Sequence, residues 1–382
     1  MEKSGAESYI YAKAAGLLRK SWISEKAVSL FNAESLSSLW DMLFSVPEPA
    51  VPELLLANKI EIEAVKNFVK DYSKLLKMYD KPDSFLTGLL QQYDVENLKA
   101  LISAVSYGEE NHPHLVNLED FRTISYEAWP NLKKITAGSP YEWVPAAVFG
   151  GSDSTGSSGS SLAAAGFSVS EDVAKGNAGG VSSEERQKID FKLDLQMLKS
   201  LWNSVCAIKG EAKSVLKEYF SYQWAVKNLI WAMRLRVYYK FSDEKIIENL
   251  YYVGDAPSRQ DPICAFAFDI LSRRIDSYDD WESWRFIDYL NPRKENGVWA
   301  LNPTWVEQRF RSREFVKAKK LFHQYPMSEV SLAMFYCLKK QELNCIRSAT
   351  EALRLGTNKK EAMYVAGITG MIDGEDENVS DN

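Results

Sequence analysis

Three groups of residues in this sequence have the types and spacing that catalysis or metal binding would use. The first is the histidines, 3 in all, with His112 and His114 flanking Pro113 and His323 standing alone. A His-Pro-His pair can offer two imidazoles to a metal, but a zinc site needs three or four protein ligands and none lies nearby to complete the set. The second is the carboxylate run Asp276, Asp279, Asp280 and Glu282. Acid/base work needs an opposed pair, and a calcium loop needs a glycine and a fixed ligand order. The run has neither and reads as a solvated face or turn. The third is Ser-x-x-Lys, at Ser214 with Lys217 and at Ser242 with Lys245, both without the companion motifs of serine acyl transfer. Arg234 and Arg236, close to Tyr238 and Tyr239, have the charge to hold phosphate, although ion pairing or stacking on rings is the favoured reading. No catalytic, cofactor-binding or metal-ligating residue is assigned.

The elements that would position such groups are helices. Apolar residues recur at helical spacing in most long segments, for example over residues 9–20 and 24–44, while period-two alternation is nearly absent, so the chain reads as all-α. Start and stop signals fit: Ser35 before an apolar run, Ser242 opening another, and Gly356 then Thr357 closing one helix and capping the next. Two stretches break the pattern. Residues 150–183 are rich in Gly and Ser with almost no large apolar side chain and read as a flexible loop. The Gly-Ser-Asp-Ser-Thr-Gly within it lacks the lysine and the strand–loop–helix setting of a phosphate cradle. Residues 371–382 form an acidic tail.

Composition narrows the function classes. With 382 residues, 46% of them hydrophobic and 12% aromatic, the chain can bury a substantial core without metal or disulfides. Its 46 basic residues face 52 acidic ones, a formal net charge of -6 that offers nucleic acid no basic field. Cys206, Cys264, Cys337 and Cys345 lack disulfide or zinc spacing and fit free thiols in a reducing, cytoplasmic compartment. No secretory signal and no membrane span is expected.

The strongest signal is an internal repeat centred on Asn97, Asn228 and Asn344. Twelve positions before them stand Phe85, Leu216 and Leu332, eight before them Leu89, Phe220 and Tyr336, and just after them Leu98, Leu229 and Cys345. These offsets place apolar residues on a common helical face. Each asparagine is expected to bond backbone at a helix junction, in three units of roughly a hundred residues. Trp281, Trp284, Phe286, Trp299 and Trp305 are expected to be core rather than interface anchors.

On these residues the sequence resembles the C-type subunits of archaeal and bacterial V-type ATPases, the counterparts of the eukaryotic d-type subunits, from about residue 8 to 368. The opening helix matches at Tyr9, Tyr11 and Ala12 followed by Leu36, Leu39 and Leu43; Asp94-x-x-Asn97-Leu98-Lys99 matches the first repeat segment. Lys227-Asn228-Leu229 with Arg234 and Arg236 matches the second, and the stretch from Lys340 to Arg347 the third. Ala225 and Gln341 depart from acidic residues of the pattern, and the Gly/Ser loop is longer than the family's. The resemblance implies three pseudo-symmetric helical lobes forming a funnel-like socket, with lobes over 1–115, 116–255 and 256–370. It further implies a non-catalytic rotor subunit without cofactors, peripheral on the cytoplasmic face of the membrane. There it would link the D/F central shaft to the membrane rotor ring for ATP-driven, or ATP-synthesising, proton or sodium transport. The alternatives left by the residues themselves are a helical adaptor unrelated to ATPases and an enzyme whose site assembles from scattered residues.

Overall fold

The protein is described from a computed structural model covering residues 3–149, 182–292 and 299–368. Apart from Ser182 and Ser183, the Gly/Ser-rich stretch lies outside the described residues, as does the acidic tail. The described residues are all-α, with no strand among them. In chain order the helices are α1 (Lys3–Lys20), α2 (Glu25–Leu30), α3 (Leu36–Leu43), α4 (Glu53–Leu76), α5 (Ser84–Ser106), α6 (Leu132–Thr136) and α7 (Val144–Phe149). They continue as α8 (Ser183–Ala207), α9 (Glu211–Val237), α10 (Asp243–Glu248), α11 (Ala265–Leu271), α12 (Pro303–Gln324), α13 (Glu329–Leu355) and α14 (Lys359–Val365). They fall into two compact units, one drawn from Met1–Leu89 and Leu201–Asn382, the other from Leu90–Ser200.

The larger unit is built around α13, which packs on α12, α4, α1, α9, α2, α3 and α14. Its sequence explains that position: from Val330 to Tyr336 every side chain is buried, so this helix has no solvent face over its first two turns. Tyr336 meets Phe68 and Tyr72 of α4, and the Tyr72 hydroxyl, buried with its ring, donates to the carbonyl of Leu86 at 3.0 Å. A second aromatic core joins Trp281, Trp284, Phe286, Tyr289 and Phe310 edge to face, and the enclosed Trp281 donates its Nε1–H to the carbonyl of Arg274 at 2.6 Å. Trp299 is buried too, with its indole N–H on the carbonyl of Asn291, whereas Trp305 is half-buried against Tyr364.

The ends of these helices follow local chemistry. Ser35 opens α3 in a reciprocal capping box with Ser38, Ser242 accepts from the N–H of Lys245, and Asn302 caps α12 ahead of Pro303. At the end of α13, Gly356 sits at φ 64° and Thr357 donates its N–H back to the carbonyl of Ala352, so Thr357 belongs to the terminus of α13. The cap of α14 is the next residue, Asn358, whose side chain accepts from the N–H of Lys360, a correction to the cap expected at Thr357. Because an L side chain is strained at this φ, Gly356→Ala is expected to lower stability by about 1 kcal/mol, read as a shift in the urea midpoint.

In the smaller unit α6 packs against α7. Leu98, Leu101, Ile102, Leu132, Ile135, Val144 and Leu193 are buried. Polar ties hold the pieces: Lys99 pairs with Asp194 at 2.5 Å, and Gln196 accepts from the indole of Trp143 while donating to the carbonyl of Pro140.

Candidate functional site

The repeat asparagines are the polar residues whose surroundings recur. Asn97 donates from Nδ2 to the carbonyl of Val116 and accepts the N–H of Val116 at Oδ1, both at 2.8 Å. A side-chain amide carries the same donor and acceptor as a peptide group, so this pair imitates one rung of an antiparallel ladder and pins an irregular segment to α5. Asn228 repeats the arrangement on α9. It donates to the carbonyl of Tyr251 at 2.7 Å, accepts the N–H of Tyr251 at 3.0 Å, and donates again to the carbonyl of Ile263 at 2.8 Å. Both asparagines are buried, and their partners stand 19 and 23 residues downstream, in the segment that leaves each helix.

A second anchor accompanies each clamp. Three positions before Asn97, the fully buried Asp94 accepts the N–H of Thr123 at 2.5 Å, its hydroxyl at 2.8 Å and the hydroxyl of Tyr126. Burial pushes the Asp94 carboxyl up, and the hydrogen bonds from Tyr126 and Thr123 work the other way. Three positions before Asn228 the residue is the buried Ala225, and the acid comes instead from the loop: Asp261 accepts the N–H groups of Val253 and Gly254 at 2.9 Å and of Ile263 at 3.0 Å. The anchoring carboxylate has moved from helix to loop, with the same kind of backbone donors satisfied.

The third asparagine differs. The Nδ2 of Asn344 is enclosed and has no hydrogen-bond partner among the described residues. After α13 the chain turns at Gly356 straight into α14, and the tie back to α13 is made by Gln341, which donates to the carbonyl of Ala366 at 2.8 Å. Gln341 is the position where the repeat would carry an acid, so in this segment an amide at that offset takes over the holding role.

The remaining candidates are engaged locally. His112 is exposed, with Nδ1 2.7 Å from the carbonyl of Pro113 and its ring against Trp129, and His323 meets the Tyr11 hydroxyl at 3.1 Å. In the acidic run Asp276 pairs with Arg274, and Asp280 accepts from Ser277. No group of three or more His, Cys, Asp or Glu among the described residues is placed to hold a metal. The hydroxyl of Ser214 donates to the carbonyl of Glu211. Arg234 pairs with Glu307 of α12, which also takes Arg311 at 2.9 Å. Arg236 donates from Nη1 to the carbonyls of Ile270, Leu271 and Arg273 at 2.8, 3.1 and 2.8 Å, closing the C-terminus of α11. Arg236→Met keeps the stem but leaves those carbonyls open, and is expected to cost about 1–2 kcal/mol, with faster amide exchange confined to α11 and the turn after it. The four cysteines are free, Cys264 and Cys345 buried, and burial pushes both thiols up to about 12.

Sequence inspection missed Asp261 and the holding role of Gln341, and it overlooked Glu307 and Glu314, the two acids inside the basic helix α12. The signal for the last two was their helical position, on the side of α12 that faces other helices.

Polar side chains on long, buried helices that hold the intervening segments by their backbone define an all-α protein whose site is an architecture of clamps. The chain belongs to the ATP synthase (C/AC39) subunit family, whose model matches residues 48–363, and is thereby a V-type ATPase subunit. A protein of Treponema pallidum (strain Nichols) described as uncharacterized is 23% identical over 389 residues, covering 96% of this chain and 99% of that protein. Among the described residues no helix is long and apolar enough to cross a membrane.

Proposed function

We propose that the chain is the non-catalytic coupling subunit of the central stalk of a V-type ATPase, standing on the cytoplasmic face of the membrane rotor ring and receiving the D/F shaft. Torque from ATP hydrolysis passes through it to the ring and drives proton or sodium transport, or passes in reverse during synthesis. Three pseudo-symmetric lobes, over 1–115, 116–255 and 256–370, would form the socket. The observation that carries this reading is the family match over residues 48–363.

The clamps support it physically. A part that transmits torque must not yield, and irregular segments are the compliant part of a helical protein. Tying such a segment to its helix by two or three hydrogen bonds from the buried side chains of Asn97 and Asn228 reduces that compliance without chemistry. The test is recovery of the tagged chain from solubilised membranes of its source organism. Co-isolation of the ATPase A, B, D and F subunits with the ring is the expected result, and recovery without any of them would sink the assignment.

A further inference from the structure

The outward face of α12 is basic in a chain that is acidic overall. Arg309, Arg313, Lys319 and Lys320 lie on the solvent side of the helix, while its two acids turn inward, Glu307 to Arg234 and Arg311, and Glu314 to the side chain of Gln223. Arg309 leans over the ring of Trp305, and Arg313 donates to the hydroxyl of Tyr289 at 2.5 Å. Lys317 has a carboxylate partner, Glu218 at 2.9 Å, whereas Lys319 and Lys320 are exposed and have no ion-pair partner among the described residues. Val316, on the same face, is 58% exposed.

The described chain ends beside this face. Arg311 donates to the carbonyl of Val365 at 3.2 Å and Ser312 to the carbonyl of Gly367 at 3.1 Å, so residue 368 leaves from the middle of α12. Residues 369–382 then carry Asp373, Glu375, Asp376, Glu377 and Asp381 and no Lys, Arg or His. From Ile368 to Asp373 an extended chain spans up to roughly 17 Å. Ser312 and Lys320 are about 12 Å apart along the helix axis, so the first acids of the tail reach the unpaired lysines.

We infer that the basic face of α12 is an interaction surface for an acidic peptide segment, and that its occupant in the free chain is this protein's own acidic stretch, Asp373 to Asp381. Single surface ion pairs are weak and screened by salt. Tethering by a few residues changes the outcome, because it holds the acids at an effective concentration on the order of millimolar over the lysines. A partner presenting a denser acidic segment would have to displace the tail. The inference stands apart from the rotor reading, since it uses only the charge of α12 and the place where the chain leaves it.

The test is zero-length carbodiimide cross-linking of the full chain, mapped by mass spectrometry, together with lysine acetylation rates. At low ionic strength, cross-links within one chain are expected from Lys319 or Lys320 to Glu375, Asp376 or Glu377, falling at least tenfold in 0.5 M salt. In a full-length variant with the five tail acids changed to Asn or Gln, Lys319 and Lys320 should acetylate several-fold faster than in the parent, while the exposed Lys59 is unchanged. Cross-links that run to lysines off α12, that form only between two copies, or that are absent with equal acetylation in both proteins would overturn the inference.

Discussion

Alanine at position 228 is expected to cost about 3 kcal/mol of stability, and the same change at position 344 less than about 0.5 kcal/mol. Asn228 makes three hydrogen bonds to main chain from a buried position. Its removal strands the N–H of Tyr251 and the carbonyl of buried Ile263, while the carbonyl of Tyr251 keeps the thiol of Cys264 at 3.0 Å. A buried group left without its partner loses its full solvation, which is why the loss exceeds the net worth of the bonds themselves. Asn97→Ala falls between, at about 2 kcal/mol, because it gives up two bonds to the half-buried Val116, where water can replace part of the loss. Asn228→Asp is expected to be no milder than Asn228→Ala, since it sets a carboxylate against two carbonyl oxygens. Urea unfolding of the four variants gives the ranking, and equal losses at 228 and 344 would show that the three hydrogen bonds of Asn228 do not set the cost of its removal.

That contrast marks what can be read from sequence. The offsets around the three asparagines name residues that are all buried, from Phe85, Leu216 and Leu332 to Leu98, Leu229 and Cys345, because apolar periodicity reports directly on burial. The partner of a clamp is a different matter. Asn97 and Asn228 bind the backbone of Val116 and Tyr251, and a main-chain N–H or carbonyl puts no mark on the side chain that happens to stand there. The same limit hid the role of Arg236, whose acceptors are three carbonyls.

Where anchoring passes to another residue, the repeat misleads. Asn344 fits the pattern in sequence, yet only two residues separate Gly356 from α14, and the tie falls to Gln341 one turn earlier. Ala225 likewise reads as a lost acid, although Asp261 supplies one from the loop 36 residues further on in chain order. Caps show a finer version of the problem. Thr357 and Asn358 are both competent to open α14, and the choice depends on Thr357 spending its N–H on the end of α13.

Glu314 carries the second large effect, and its sign depends on pH. It sits on α12 with one carboxylate oxygen, Oε1, enclosed and unpaired, near Gln223 and Lys227 of α9 and Arg311 and Glu307 of its own helix. Burial is the dominant influence and pushes its carboxyl up to about 7 from an ordinary 4.5; Lys227, the Gln223 side chain and Arg311 pull it down, and Glu307 adds to the rise. Below pH 4.5 the acid is protonated in both the folded and the unfolded chain and contributes nothing. Between 4.5 and 7 the unfolded chain gives up the proton while the folded one keeps it, so stability falls as pH rises, and above 7 the loss is complete. At 1.36 kcal/mol for each pH unit of separation, the loss amounts to about 3 kcal/mol. Glu314→Gln keeps the shape and the hydrogen-bonding capacity but cannot ionise, so the variant should be more stable than the parent by about 3 kcal/mol at pH 8 and equal to it, within about 0.5 kcal/mol, at pH 4.5. Taking the difference between variant and parent at each pH cancels the titration of the other carboxylates, Asp94 included, so the change of gap belongs to position 314. A gap of the same size at both pH values would mean that folding does not raise the Glu314 carboxyl above its ordinary range. In that case its neighbours Lys227 and Arg311 offset its burial.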